Sequence, residues 1–310
     1  MRPPDEMSGA DFQVLYSPLR STAPGAGAPR GALDTVTREQ VLAAIREVRS
    51  GYPVSLAAPV NTRAAADDDE PAEYRLTAPA RGVAPQTGLQ FARDRFAMNV
   101  HGDVNSHLDA LCHVIYDGTL HRGVPATEAF SQDGAIEQSI ELARDGIVGR
   151  GVLLDIPRLH GVPWLEPGTQ VTVEDLAAAE TRQGSQVGRG DILLVRVGHR
   201  RRRDELGPWD VAEARAGLHP TAVRFPVNRQ VAALGSDGNN DAAPSASRGV
   251  AFPVHVLAIH AAGLHLLDYL QLEDLARLCA EEGRWSFLCV IAPLRLPGAT
   301  GSPVNPLAIL

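Results

Sequence analysis

Polar residues alternate with small or apolar ones from His101 to Asp109: His101, Asp103, Asn105, His107 and Asp109 are separated by Gly102, Val104, Ser106 and Leu108. An extended chain sends alternate side chains to opposite faces, so the pattern predicts a strand with one polar face and one dry face. Beyond Leu111 the next residue in the polar series is His113. A strand running that far would exceed the usual length, so a bend is expected at Ala110–Cys112. Whether His113 shares the face of His107 is then open.

Elsewhere the period of the apolar positions predicts strands and helices in alternation. Thr37-Arg38-Glu39-Gln40 fits a capping box, with Val41, Ala44, Ile45 and Val48 as the apolar stripe and Gly51 and Pro53 as the stop. Thr172-Val173-Glu174-Asp175 starts a second helix, expected to run to Gly184. Further helices are expected over 136–143, over 253–262 and around Leu272, Leu275, Leu278 and Cys279. Continuous apolar runs over 151–156, 191–198, 231–235, 264–267 and 286–296 read as strands, as do 52–60 and 303–310. This alternation, interrupted by long irregular inserts, points to an α/β fold with a mixed sheet. Residues 1–34, rich in Pro, Gly and Ala, read as an N-terminal arm, and 35–310 as one domain. Residues 64–71, with Asp67-Asp68-Asp69-Glu70, read as a charged surface loop.

Composition narrows the function classes. A chain of 310 residues, 44% hydrophobic and 21% charged, has the make-up of a soluble globular protein. Its net charge of −8 argues against a nucleic-acid binder. The one basic run, His199-Arg200-Arg201-Arg202-Arg203, is read as a solvated loop, with contact to an acidic substrate as the lesser alternative. Three cysteines without a C-x-x-C pair give neither a disulfide framework nor a thiolate metal site. Without an apolar leader or a membrane-length apolar run, the expected location is the cytoplasm.

Imidazole and carboxylate are the ligand types of zinc and of harder ions such as manganese. The alternating segment therefore reads either as a metal site or as a half-exposed strand with its polar face in water. Cys112 reads as a small buried apolar residue and not a nucleophile. His255 and His260, five apart on one helix, make a poor shared ligand pair, and His121 could line a pocket. Asp237 and Asp241, at a strand end, read first as turn-formers and second as partners of the ligands. Arg295, in the last long strand, reads as buried with an acidic partner.

At these residues the chain resembles a known family. The segment from Asp103 to His113 resembles the H-x-G-T-H-x-D-x-P-x-H motif of the metal-dependent cyclase family, which includes bacterial kynurenine formamidases and isatin hydrolases. Arg30-Gly31-Ala32-Leu33-Asp34, His255 with Leu264-His265-Leu266-Leu267-Asp268, and Ala292-Pro293-Leu294-Arg295-Leu296 through Pro303-Val304 resemble other segments of that family in the same order. The likeness spans about residues 30–310. Asp103 stands where the motif has its first His, Asn105 where it has Gly, Ser106 where it has Thr, and Leu111 where it has Pro.

The resemblance implies a mixed-sheet swivelling β/β/α fold and a homodimer or homotetramer. It implies His107, Asp109, His255 and Asp268 as metal ligands, with Asp103, or else His101, in the place of the first His. His113 is implied as the acid/base. The implied cofactor is a divalent metal, manganese or zinc. The implied reaction is hydrolysis of a small amide, cyclic amide or imide, or lactone. Alternatives are a cyclase or lyase using the same site and, given the departures from the motif, a non-catalytic metal or metabolite binder.

Overall fold

The computed structural model describes residues 6–23, 25–78, 89 and 91–310. Its main sheet has nine strands: β1 (Pro53–Ser55), β2 (His107–Asp109), β3 (Ile147–Asp155), β4 (Ile192–Arg196), β5 (Ala233–Ser236), β6 (His265–Asp268), β7 (Ser286–Ile291), β8 (Gly301–Pro303) and β9 (Leu307–Ile309), in the spatial order β1-β9-β7-β3-β4-β5-β6-β2-β8. The centre, β3-β4-β5-β6, is parallel, and the flanking pairings are antiparallel. The parallel strands are the continuous apolar runs, as a sheet covered on both faces requires. Val152, Leu154, Leu193 and Val195 face one apolar core, while Leu153, Ile192 and Leu194 face the other. Gly151 lies opposite Phe287 across β3 and β7, where a Cβ would run into the Phe287 ring.

Helices cross between the parallel strands. Val173–Gln183 begins with the expected capping box and ends on Gly184 in the left-handed conformation. Arg38–Ile45 carries its capping box too, but only Ala44 of the expected stripe is buried, and Ile45 is exposed. Pro253–His255 continues as a π-helix, Val256–Ala261.

Several expectations are corrected. Within the expected N-terminal arm, Gly9–Thr22 is an amphipathic helix capped by Ser8, and it buries Phe12, Leu15, Tyr16 and Leu19. The basic run is no solvated loop. It forms the helix His199–Leu206, in which His199 and Arg200 are buried. Its Arg203 is paired at 2.5 and 3.0 Å with Asp67, a buried residue of the expected surface loop. The expected long strands at 52–60 and 286–296 stop at Ser55 and Ile291. Arg295 lies beyond the strand, exposed, where it pairs with Glu141. Residues 136–143 form only a short 3-10 turn, Ile140–Ala143. Beyond the charged loop, Glu73–Ala78 is a strand hairpinned with Arg93–Ala97, and 79–88 lie outside the described residues.

Candidate metal and substrate site

The alternating segment is extended only over β2, His107–Asp109, and bends into a 3-10 turn, Leu111–His113. On β2 the period of two puts His107 and Asp109 on one face and Leu108 in the core. Strand β6 pairs antiparallel with β2 so that Asp268 stands opposite His107. One ligand atom from each of His107, Asp109 and Asp268 lies within 4.8 Å of the others. His255 arrives from the helix over the end of the sheet, with its Nε2 3.5 Å from Asp109 Oδ2 and 3.4 Å from Asp268 Oδ2. Residues far apart in the chain thus converge on one buried spot.

Each member is oriented from behind. The backbone carbonyl of Asn105 takes the His107 Nδ1–H at 2.8 Å, which leaves Nε2 facing Asp109 at 3.6 Å. Asp241 Oδ2 lies 2.6 Å from His255 Nδ1 and 3.0 Å from the His255 backbone N–H, while its Oδ1 takes the Val254 N–H at 2.7 Å. Asn240 donates its amide to Asp268 Oδ1 and to the Leu267 carbonyl. His101 binds Asp109 Oδ1 through Nδ1 and Thr300 Oγ1 through Nε2, both at 2.9 Å. The His113 ring stacks on His101, with centroids 3.7 Å apart and planes at 10°.

The electrostatics follow from burial against charge. Burial would raise the Asp109 carboxyl, yet His101, His255, His107 and His113 hold it well below the ordinary carboxylate range. Burial lowers His255, but Asp109, Asp241 and Asp268 together hold it well above the usual imidazole value. His113 is pulled down to about 4 by burial, against the pull of Asp109, so its imidazole is neutral near pH 7.

Asp109 Oδ2 and Asp268 Oδ2 are buried and have no hydrogen-bond partner among the described residues. Two buried carboxylate oxygens without donors are costly unless a cation meets them. Donors about 2.1 Å from a common ion stand roughly 3–3.5 Å apart, the range of the His255 separations. The donor set fits a divalent ion.

Asp103 accepts the Tyr269 hydroxyl at 2.7 Å. His121 does not reach the pocket; it is buried against the carbonyls of Gly25 and His260. Cys112 is buried, and burial pushes its thiol up to about 12. A cavity of about 500 Å³ opens over the cluster, with His113, Asp103 and Asn239 on its polar side and Val114, Ile115 and Phe252 on its apolar side.

Residues 31–240 match the Cyclase family model. The chain belongs to the cyclase family. Among solved structures, one described as a novel cyclase is 29% identical, with a TM-score of 0.85 over 95% of this chain and 100% of that one. Isatin hydrolase A from Ralstonia solanacearum (21% identity, TM-score 0.59) covers 88% of this chain and 97% of its own. The same enzyme from Labrenzia aggregata, solved with benzyl benzoate, is 21% identical at TM-score 0.59, covering 87% and 97%. These two likenesses establish the shared mixed α/β fold. No curated protein sequence matches this cyclase-family chain.

Of the residues behind the cluster, sequence reasoning missed Asn240 and gave Asp241 only as a second reading, as a partner of the ligands. Asn239, Asn240 and Asp241 follow β5 in a polar stretch that turn chemistry explains locally, yet all three are buried. Asn240 and Tyr269 also adopt positive φ, at 52° and 54°. A left-handed Tyr is an outlier of the kind that collects at functional sites.

Proposed function

We propose that this cyclase-family protein is a metal-dependent hydrolase of a small amide, cyclic amide or imide, or lactone. The observation that carries the reading is the pair of buried, donor-less oxygens, Asp109 Oδ2 and Asp268 Oδ2, set about His255 Nε2. His107, Asp109, His255 and Asp268 would hold a manganese or zinc ion. Such an ion supplies water acidified to a pKa of about 7 and a Lewis acid for a carbonyl.

The remaining work falls to the chain's own groups. His113 borders the cavity in neutral form, with a ring nitrogen within 4.8 Å of Asp109 and His101 ligand atoms. It takes a proton from the attacking water and returns it to the leaving nitrogen or oxygen. His101, pinned at both nitrogens, holds the His113 ring by stacking. Val114, Ile115 and Phe252 line the cavity and exclude water from the apolar part of a substrate.

The test combines metal analysis with turnover of formanilides, cyclic imides and aryl lactones by the wild type and His113→Gln. The expected result is one divalent ion per chain in both proteins and a kcat lower by roughly 10²–10⁴ in the variant. Normal turnover by His113→Gln would remove His113 from its role. Product free of label when turnover runs in ¹⁸O-water would replace hydrolysis by a cyclase or lyase reaction at the same residues.

A further inference from the structure

Asp103 occupies the motif position of a metal ligand, yet it is held by Tyr269 Oη at 2.7 Å. Tyr269 is fully buried, and a left-handed backbone at φ 54° directs it. The chain thus fixes one carboxylate at the cavity wall with a rigid aromatic donor. Asn239 is a second feature of that wall. It is only 8% exposed, it lines the same cavity, and its amide oxygen has no partner among the described residues. No Lys or Arg lines the cavity among the described residues. Asp103 and Asn239 therefore line a space that also presents Val114, Ile115 and Phe252.

We infer that Asp103 is a specificity-determining residue that binds the substrate, and that with Asn239 it selects molecules carrying an ammonium or N–H donor on an apolar body. The inference rests on the hydrolase reading for the carbonyl chemistry, but the recognition itself needs only the cavity. A carboxylate with an unsatisfied acceptor beside it stabilises a bound cation through charge-assisted hydrogen bonds. The same pair repels an anionic ligand, which also leaves Asn239 unpaired. In this chain the Asp that replaces the family's His changes what is selected and leaves the ion to the four residues behind it. The Tyr269 hydroxyl engages Asp103 Oδ1.

The test measures binding by thermal shift and calorimetry on the metal-loaded full chain with three probes of similar shape: benzylamine, benzyl alcohol and benzoate. Wild type is expected to bind benzylamine at least tenfold more tightly than benzoate. Asp103→Asn should lose that preference while keeping the wild-type metal content. Tyr269→Phe, in which the carboxylate is present but unheld, should fall between the two. Loss of the metal from a folded Asp103→Asn protein would overturn the inference and make Asp103 a ligand. Equal binding of benzylamine and benzoate by wild type would overturn it too. Should the protein hold no metal and turn over nothing, the hydrolase reading fails, whereas the probe preference still decides the role of Asp103.

Discussion

His255 Nδ1 and Asp241 Oδ2 lie 2.6 Å apart, and the same carboxylate receives the backbone N–H groups of Val254 and His255. One side chain therefore starts the helix that carries His255 and sets the ring's orientation. With Nδ1 turned to Asp241, Nε2 faces Asp109 and Asp268. A carboxylate behind an imidazole raises its basicity and fixes its tautomer.

Asp241→Asn is accordingly expected to lower metal affinity by roughly 10–100-fold. Competition with a chromophoric chelator measures the change. An unchanged affinity would show that the helix alone orients the ring.

Asp268→Asn should separate stability from metal binding. In the metal-free protein the amide replaces one of two crowded carboxylates and offers N–H donors to Asp109, so the metal-free Tm should rise. Saturating metal should then add almost nothing, where a ligand at a hundredfold excess over Kd would stabilise the wild type by about 2.7 kcal/mol. Scanning calorimetry with and without EDTA reads both effects.

Two buried histidines should make the fold acid-labile. Burial pulls His265 to about 3, and burial together with Arg200 and Arg203 does the same for His199. Their folded-state values lie below the unfolded value of about 6.5. The stabilisation is thus present above pH ~6.5 and is lost as pH falls from there toward 3. Neither ring nitrogen of His265 has a hydrogen-bond partner among the described residues. His265→Leu should therefore be more stable than wild type at pH 7, by a margin that widens at pH 5. Urea midpoints at the two pH values check this; a margin that narrows at pH 5 would refute it.

The Asp67–Arg203 pair ties the basic helix to the 61–72 loop, with side-chain exposures of 0% and 17%. Asp67→Ala leaves a mostly buried guanidinium without its carboxylate. The expected cost is on the order of 3 kcal/mol, read as a lower urea midpoint at unchanged m-value. A loss below ~0.5 kcal/mol would mean that the pair behaves as a surface contact.

How far the sequence could be read depended on the range of the interaction. The shared face of His107 and Asp109 is a two-residue matter of strand pleat, so alternation revealed it. The buried strands were legible because their apolar runs admit few other structures. The N-terminal helix was harder. Phe12, Leu15, Tyr16 and Leu19 keep a helical spacing, but Pro18 and the flanking Gly and Ala obscure it. The basic run looked like loop because its partners are distant in sequence: Arg200 donates to the Val104 carbonyl, 96 positions away, and Arg203 pairs with Asp67, 136 positions away. Asn239, Asn240 and Asp241 carry turn-forming side chains, and no local signal shows that those side chains point inward.

From the sequence alone came the α/β class, the family likeness and the residue types able to hold a cation, because periodicity and motif spacing are local properties of the chain. The tertiary structure decided which of them meet. Strand β6 pairs with β2 and brings Asp268 opposite His107, Asp241 turns His255 toward both carboxylates, and Tyr269 draws Asp103 to the cavity wall. Such meetings depend on strand order, helix placement and burial, which arise only when distant segments pack together.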